Sequence, residues 1–177
     1  MLIKDEFLRA AIARTLQLKE EEIDEKAMER LVSLSARSAG IISLEGLDTA
    51  VNLQYLDLCG NSIEDLDPIK DLREVEYLNL SKNMLRDIQA LRGYRQLLRL
   101  DISRNNLYTM DISAIAGMIN LEELNLERSK VDNLVYLENA KKLHKLYISI
   151  ENGPFPLSIL GTLNCLLYTS DAADDLI

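Results

Sequence analysis

Aliphatic residues return every twenty-two positions through most of this chain, a period that leaves few folds open. Leu53, Leu56, Leu58, Asn61, Ile63, Leu66 and Ile69 recur as Val75, Leu78, Leu80, Asn83, Leu85, Ile88 and Leu91. They recur again as Leu97, Leu100, Ile102, Asn105, Leu107 and Met110. Two extra residues, which the spacing places around Asp111 and Ile112, then delay Ile115 and move the next start to Leu121. A fourth copy runs Leu121, Leu124, Leu126, Ser129, Val131, Leu134 and Leu137, and a fifth begins at Leu143, Leu146 and Ile148 before dissolving. Upstream, Leu31, Leu34, Ala36, Ala39, Ile41, Leu44 and Leu47 make an incomplete copy, with Ala39 in the place of the asparagine. Positions within a copy are numbered with Leu53 as position 1.

The period has a physical logic. In the run L-x-L the apolar side chains alternate, so they share one face of a short strand and the residues between them point the other way. The chain must then turn against the core, where backbone amides without partners cost roughly 1–3 kcal/mol each. Asparagine offers two donors and an acceptor on a short stem, so a stacked column of them serves one turn from the next. Asn61, Asn83 and Asn105 form that expected ladder, with Ser129 as a weaker continuation. Asn83, in mid-column, is expected to matter most.

This is the leucine-rich-repeat pattern, and it predicts an α/β solenoid with a parallel sheet. Composition agrees: 47% of the 177 residues are apolar but only 5% aromatic, as suits layers of branched aliphatics. The net charge of −9 argues against a partner whose phosphates must be neutralised, and mildly favours a basic or mixed-charge one. Two cysteines, Cys59 and Cys165, make no framework, and no disulfide is expected. No apolar run approaches the roughly 18 residues that span a bilayer.

Ahead of the repeats the period changes. Phe7, Leu8, Ala11, Ile12 and Leu16 follow Asp5 and Glu6 at helical spacing, and Ile23, Ala27, Met28 and Leu31 suggest a second helix opened by Asp24. An open stack exposes the apolar cross-section of its first coil, so residues 1–30 read as a helical cap, 31–152 as repeats and 153–177 as an irregular tail. The opening segment is amphipathic rather than basic and then continuously apolar, so it does not itself read as a secretion signal.

The cap together with the junction E-G-L-x-x-A-x-N-L, Glu45 to Leu53, and the run D-L-x-P-I, Asp65 to Ile69, resembles internalin-type bacterial leucine-rich-repeat proteins across about residues 5–150. The resemblance implies a curved right-handed solenoid with a concave parallel sheet and short convex coils. It also implies a secreted or cell-surface protein that binds another protein. A cytoplasmic regulatory adaptor of the SDS22-like kind, docking on a phosphatase or other enzyme, shares the period and is the alternative.

Outward strand positions follow from the spacing. Position 3 carries Ser33, Tyr55, Tyr77, Arg99, Glu123 and Lys145, and position 5 carries Ser35, Asp57, Asn79, Asp101, Asn125 and Tyr147. From Tyr55 and Asp57 onward these are the expected partner-binding residues. Tyr55 beside Tyr77 stands out, either as a binding anchor or as a cross-strand pair that stabilises the sheet. No nucleotide-binding, zinc-protease or serine-hydrolase motif is present, no cofactor or metal is expected, and His144 reads as a strand-start residue rather than half of a catalytic pair. Asp65, Asp67 and Asp71 read as solvated turn residues. The register fails after Asn152, and Cys165 to Asp175 looks like translated adaptor sequence, so residues from about 164 onward are expected to be foreign to a longer repeat array. Re-reading the source DNA past codon 164 in an independent isolate tests this expectation.

Overall fold

The L-x-L runs form strands wherever the period puts them. The computed structural model describes residues 1–105, 109–131, 133–149 and 166–170. Seven strands, β1 Ser33–Ser35, β2 Tyr55–Asp57, β3 Tyr77–Asn79, β4 Arg99–Asp101, β5 Glu123–Asn125, β6 Lys145–Ser149 and β7 Leu166–Ser170, make one parallel sheet in chain order. Leu34, Leu56, Leu78, Leu100, Leu124 and Leu146 lie side by side in register, each at most 1% exposed. The next inward positions, Leu58, Leu80 and Ile102, are fully buried, and their amides donate to Asn79, Asp101 and Asn125 of the following coil at 2.8, 2.8 and 3.1 Å. Burial of each such side chain stabilises the stack by about 1.5–3 kcal/mol.

Opposite the sheet, single 3₁₀ turns return the chain: Leu47–Thr49, Asp67–Ile69, Gln89–Leu91, Ser113–Gly117 and Val135–Asn139. Each buries one position-17 aliphatic, in turn Leu47, Ile69, Leu91, Ile115 and Leu137. A short carboxylate or amide starts four of them. The side-chain oxygens of Asp65, Asp87, Asp111 and Asn133 accept the N–H two residues on, at 2.8 to 2.9 Å, where a turn would otherwise leave a donor unpaired. Asp65 is therefore a turn-closing group and not simply a solvated one. Its equivalence to Asp111 also corrects the place of the insertion. Asp87 bridges Asp111 in the sheet direction, twenty-four positions on, so the two extra residues fall between Asn105 and Asp111 rather than at Asp111 and Ile112. Apolar spacing alone could not decide this, because Met110 and Ile112 are both fully buried.

At the N-terminus, α1 (Glu6–Leu16) buries Leu8, Ala11, Ile12 and Ala13 against the first coil, while Phe7, expected on the same face, is 47% exposed. The second helix is a single turn, α2 (Glu25–Met28), capped by Asp24. Asp5 joins cap to repeats. One carboxylate oxygen accepts the amides of Phe7 and Leu8 at 3.0 and 2.9 Å, and the other accepts those of Ile42 and Ser43 at 2.9 and 3.1 Å. Partial burial raises the Asp5 pKa, but these four donors outweigh it and hold the carboxyl below its ordinary value. Gly46 has φ +90°, and a Cβ there would strike the Leu2 carbonyl, so the E-G-L junction needs glycine where the cap crosses.

Among the described residues one ring is fully buried in the core. Tyr94 takes the place of Leu72, is fully buried, and donates its hydroxyl to the Ile69 carbonyl at 2.5 Å. Burial pushes that phenol far above its ordinary pKa. Within the stretch expected to be irregular, β7 runs parallel to β6, with Tyr147 opposite Tyr168. Cys165, 153–165 and 171–177 lie outside the described residues, as do Asn106, Leu107 and Tyr108.

Candidate functional site

The asparagine column reaches backward along the stack. Asn61 Oδ1 accepts the amides of Ala39, Gly40 and Ile41 in the preceding coil at 3.1, 3.0 and 3.0 Å, while its Nδ2 donates to the carbonyls of Ala36 and Leu58. Asn83 accepts from Ile63 and donates to Leu58, Leu80 and Ser81. Asn105 accepts from Leu85 and donates to Leu80, Ile102 and Ser103. Ser129 Oγ donates to the Ile102 carbonyl at 2.7 Å and accepts the Asn105 amide at 3.2 Å. The incomplete first coil, with Ala39 in its own asparagine position, thus relies most on its successor. That makes Asn61, rather than Asn83, the most heavily engaged member.

On the opposite face, position 3 forms a continuous outward row. Tyr55 and Tyr77 stack with ring centroids 4.4 Å apart and planes 7° from parallel. Burial, then the neighbouring Tyr55 and Asp57, raise the Tyr77 pKa. Next along the row, Glu123 Oε2 lies 3.9 Å from Arg99 Nε and 3.3 Å from Lys145 Nζ, so one carboxylate sits between two cations. A recess of about 490 Å³ is lined by Tyr55, Glu76, Tyr77, Leu98, Arg99 and Glu122, and a second of about 250 Å³ runs from Tyr77 and Arg99 to Tyr147. At the far end Tyr147 stacks on Tyr168 at 4.6 Å.

Position 5 behaves differently. Asp57 and Asn79 are only 1% and 6% exposed, which withdraws both from direct contact with a partner. The cause is local. Each position-5 oxygen turns back to accept an amide two residues on: Asp57 from Cys59, Asn79 from Ser81, Asp101 from Ser103 and Asn125 from Glu127, at 2.9 to 3.1 Å. Asp57 also pairs with Arg37 at 3.0 Å, and Asn125 donates to Asp101 at 3.2 Å. The signal was in the sequence: position 5 is Asp or Asn in four consecutive copies, the residue types that close such turns. Asp101, Asn125 and Tyr147 remain half-exposed beside the row. Cys59 is buried and unpaired, 3.9 Å from an Arg37 nitrogen, and His144 is an exposed residue whose amide donates to Glu122 ahead of β6. Among the described residues no cluster of three or more His, Cys, Asp or Glu is arranged to hold a metal, and no helix is long and apolar enough to cross a membrane.

A leucine-rich-repeat family model matches residues 51–107. Comparison with curated proteins gives no sequence match. Among solved structures, the internalin InlF of Listeria monocytogenes superposes with a TM-score of 0.85 at 23% identity over 96% of this chain. The chain spans about half, 52%, of that internalin's length. Internalin C2 of the same organism is 25% identical, with a TM-score of 0.69 over 97% of this chain and 88% of its own. A leucine-rich-repeat protein of Leptospira interrogans is 21% identical, with a TM-score of 0.58, covering 77% of this chain and 36% of its own. Residues 51–107 thus carry leucine-rich repeats, and the fold of the chain is a leucine-rich-repeat solenoid like that of the internalins.

Proposed function

We propose that this chain binds a partner protein through its outward sheet face and has no catalytic activity of its own. Support comes chiefly from the Tyr55–Tyr77 stack, which walls a recess directly beside the Arg99–Glu123–Lys145 charge series. Stacked tyrosines present a rigid apolar area with polar tips, so little side-chain entropy is lost when a partner covers them. The charged series beside them supplies orientation and selectivity rather than raw affinity. Tyr55, Tyr77, Arg99, Glu123 and Lys145 form the contact row, flanked by Asp101, Asn125 and Tyr147. Asp57 and Asn79 hold the strand ends.

Replacing Tyr77 and Arg99 together by alanine is expected to abolish capture of the partner by the full chain while leaving the circular dichroism spectrum unchanged. Capture that survives this double change moves the site off the sheet. A surface or secreted location accompanies this reading, by the internalin likeness. The cytoplasmic adaptor is its rival, and fractionation of the native host separates the two.

A further inference from the structure

We propose that the 490 Å³ recess at the N-terminal edge of β3 and β4 receives an arginine side chain of the protein partner, its stem on Leu98 and its guanidinium between Glu76 and Glu122. This rests on the reading of the outward sheet face as the binding surface and names the chemical group that surface takes. Position 2 precedes each strand by one residue, and its backbone is bonded coil to coil. The amides of Glu76, Leu98, Glu122 and His144 donate to the carbonyls of Gln54, Glu76, Leu98 and Glu122 at 2.9, 2.8, 2.8 and 2.9 Å. This ladder fixes Leu98 between the two glutamates, whose backbones lie about 10 Å apart at about 4.8 Å per coil.

Position 2 is polar at Gln54, Glu76, Glu122 and His144, so a half-buried aliphatic residue at Leu98 breaks the local pattern. With Tyr55 and Tyr77 it makes the apolar lining of the recess, and the two glutamates make the acidic one. Glu76 is exposed and Glu122 half-buried, and among the described residues neither carboxylate enters an ion pair. The cation in the lining, Arg99, has its Nε 3.9 Å from Glu123 Oε2, which also faces Lys145.

The surrounding charges leave that balance in place. Exposed Glu74 and Arg95, ahead of β3 and β4, offset each other, and Lys142 donates to Asn120 Oδ1 at 2.7 Å. His144, beyond Glu122, has its Nδ1 3.4 Å from the Lys142 carbonyl. The recess thus carries more negative than positive charge on a chain of net −9, which attracts a cation and repels phosphates. A long cationic side chain matches both linings, because its methylene stem covers apolar surface while its head stays polar. Arginine suits the recess better than lysine: its planar fork offers donors on several edges to two separate carboxylates and lies flat against an aromatic wall.

Acetyl-Gly-Arg-Gly-amide, titrated into the isotopically labelled full chain and followed by NMR, tests this. Saturable shifts are expected at the Leu98 methyl groups and the Tyr77 ring. Acetyl-Gly-norleucyl-Gly-amide, which keeps the stem without the cation, is expected to bind at least about fivefold more weakly. Glu76→Gln/Glu122→Gln, which preserves shape, is expected to lose at least about fivefold in affinity for the arginine peptide and to lose capture of the partner, with its circular dichroism spectrum unchanged. Glu21→Gln/Asp48→Asn makes the same change of net charge at exposed positions away from the sheet and is expected to lose less than about twofold. No saturable shift at Leu98, equal binding of the norleucine peptide, or equal losses in the two charge variants overturns the proposal. Tighter binding of acetyl-Gly-Lys-Gly-amide overturns the choice of arginine. Undiminished capture of the partner by Glu76→Gln/Glu122→Gln overturns arginine as the partner's group, whereas undiminished capture by Tyr77→Ala/Arg99→Ala overturns the sheet face itself.

Discussion

The inward column of Asn61, Asn83 and Asn105 and the outward row of Tyr55, Tyr77 and Arg99 cross the same three coils, six residues apart along the chain, yet they obey opposite rules. Inside, one residue type recurs and makes nearly the same set of backbone bonds each time. Outside, two tyrosines give way to arginine, glutamate and lysine, so the side-chain chemistry changes along the row. The difference is one of desolvation. A buried turn has amides that nothing but a correctly placed acceptor can serve, whereas an outward strand position needs only to leave the pleat intact. Constancy within the repeat therefore marks what holds the coil, and variety marks what is free to recognise.

Breaking the column should cost far more than breaking the row. Asn61→Ala strands the buried amide of Ile41 and the part-buried ones of Ala39 and Gly40, and is expected to destabilise by about 3–5 kcal/mol in urea unfolding, more than any other single change in the column or the row. Asn83→Ala is expected to follow at about 2–4 kcal/mol, and Ser129→Ala at about 1–2 kcal/mol. Equal melting temperatures for these three would erase the distinction. Tyr94→Phe, which removes one buried hydroxyl from the Ile69 carbonyl, is expected to cost about 1–2 kcal/mol. On the outward side, Tyr77→Ala loses a stacked pair worth about 0.5–1.5 kcal/mol, and Arg99→Ala, exposed and loosely paired, is expected to fall within about 0.5 kcal/mol of wild type. A row substitution more damaging than Asn83→Ala would reverse the comparison.

Acid sharpens it at the cap. Asp5 titrates lower in the folded chain than its ordinary value, so its contribution is fully present above that ordinary value and is lost as pH falls through the lowered one. The cap is therefore expected to loosen below about pH 4, with amide exchange at Ile42 and Ser43 rising first. The same titration of Asp5→Asn should lack this step.

Much of this architecture was legible because a strand of three residues between buried leucines leaves no freedom of register. Every outward residue of β2 to β4 falls where a count from Leu53 puts it, and those of β5 follow once the two extra residues are allowed for. Other features were opaque for physical reasons. Spacing alone does not encode that the Asp57 side chain turns to an amide two residues on, and only the run of Asp and Asn at position 5 carries that signal. The left-handed backbone at Lys82 and Arg104 is invisible in residues that ordinarily avoid it. Tyr94 hides because a ring in an aliphatic layer depends on a carbonyl twenty-five residues earlier. The insertion slid to Asp111 because two neighbouring apolar side chains, Met110 and Ile112, are equally buried.

Asn61 reaches back to finish a bend built 20 to 22 residues before it. As the chain leaves the ribosome, the bend at Ala39, Gly40 and Ile41 has no acceptor for its amides until Asn61 has also been made. Closure of the opening coil must therefore lag its own synthesis by about one repeat, and the solenoid matures in the direction of translation, each layer sealed by the layer that follows.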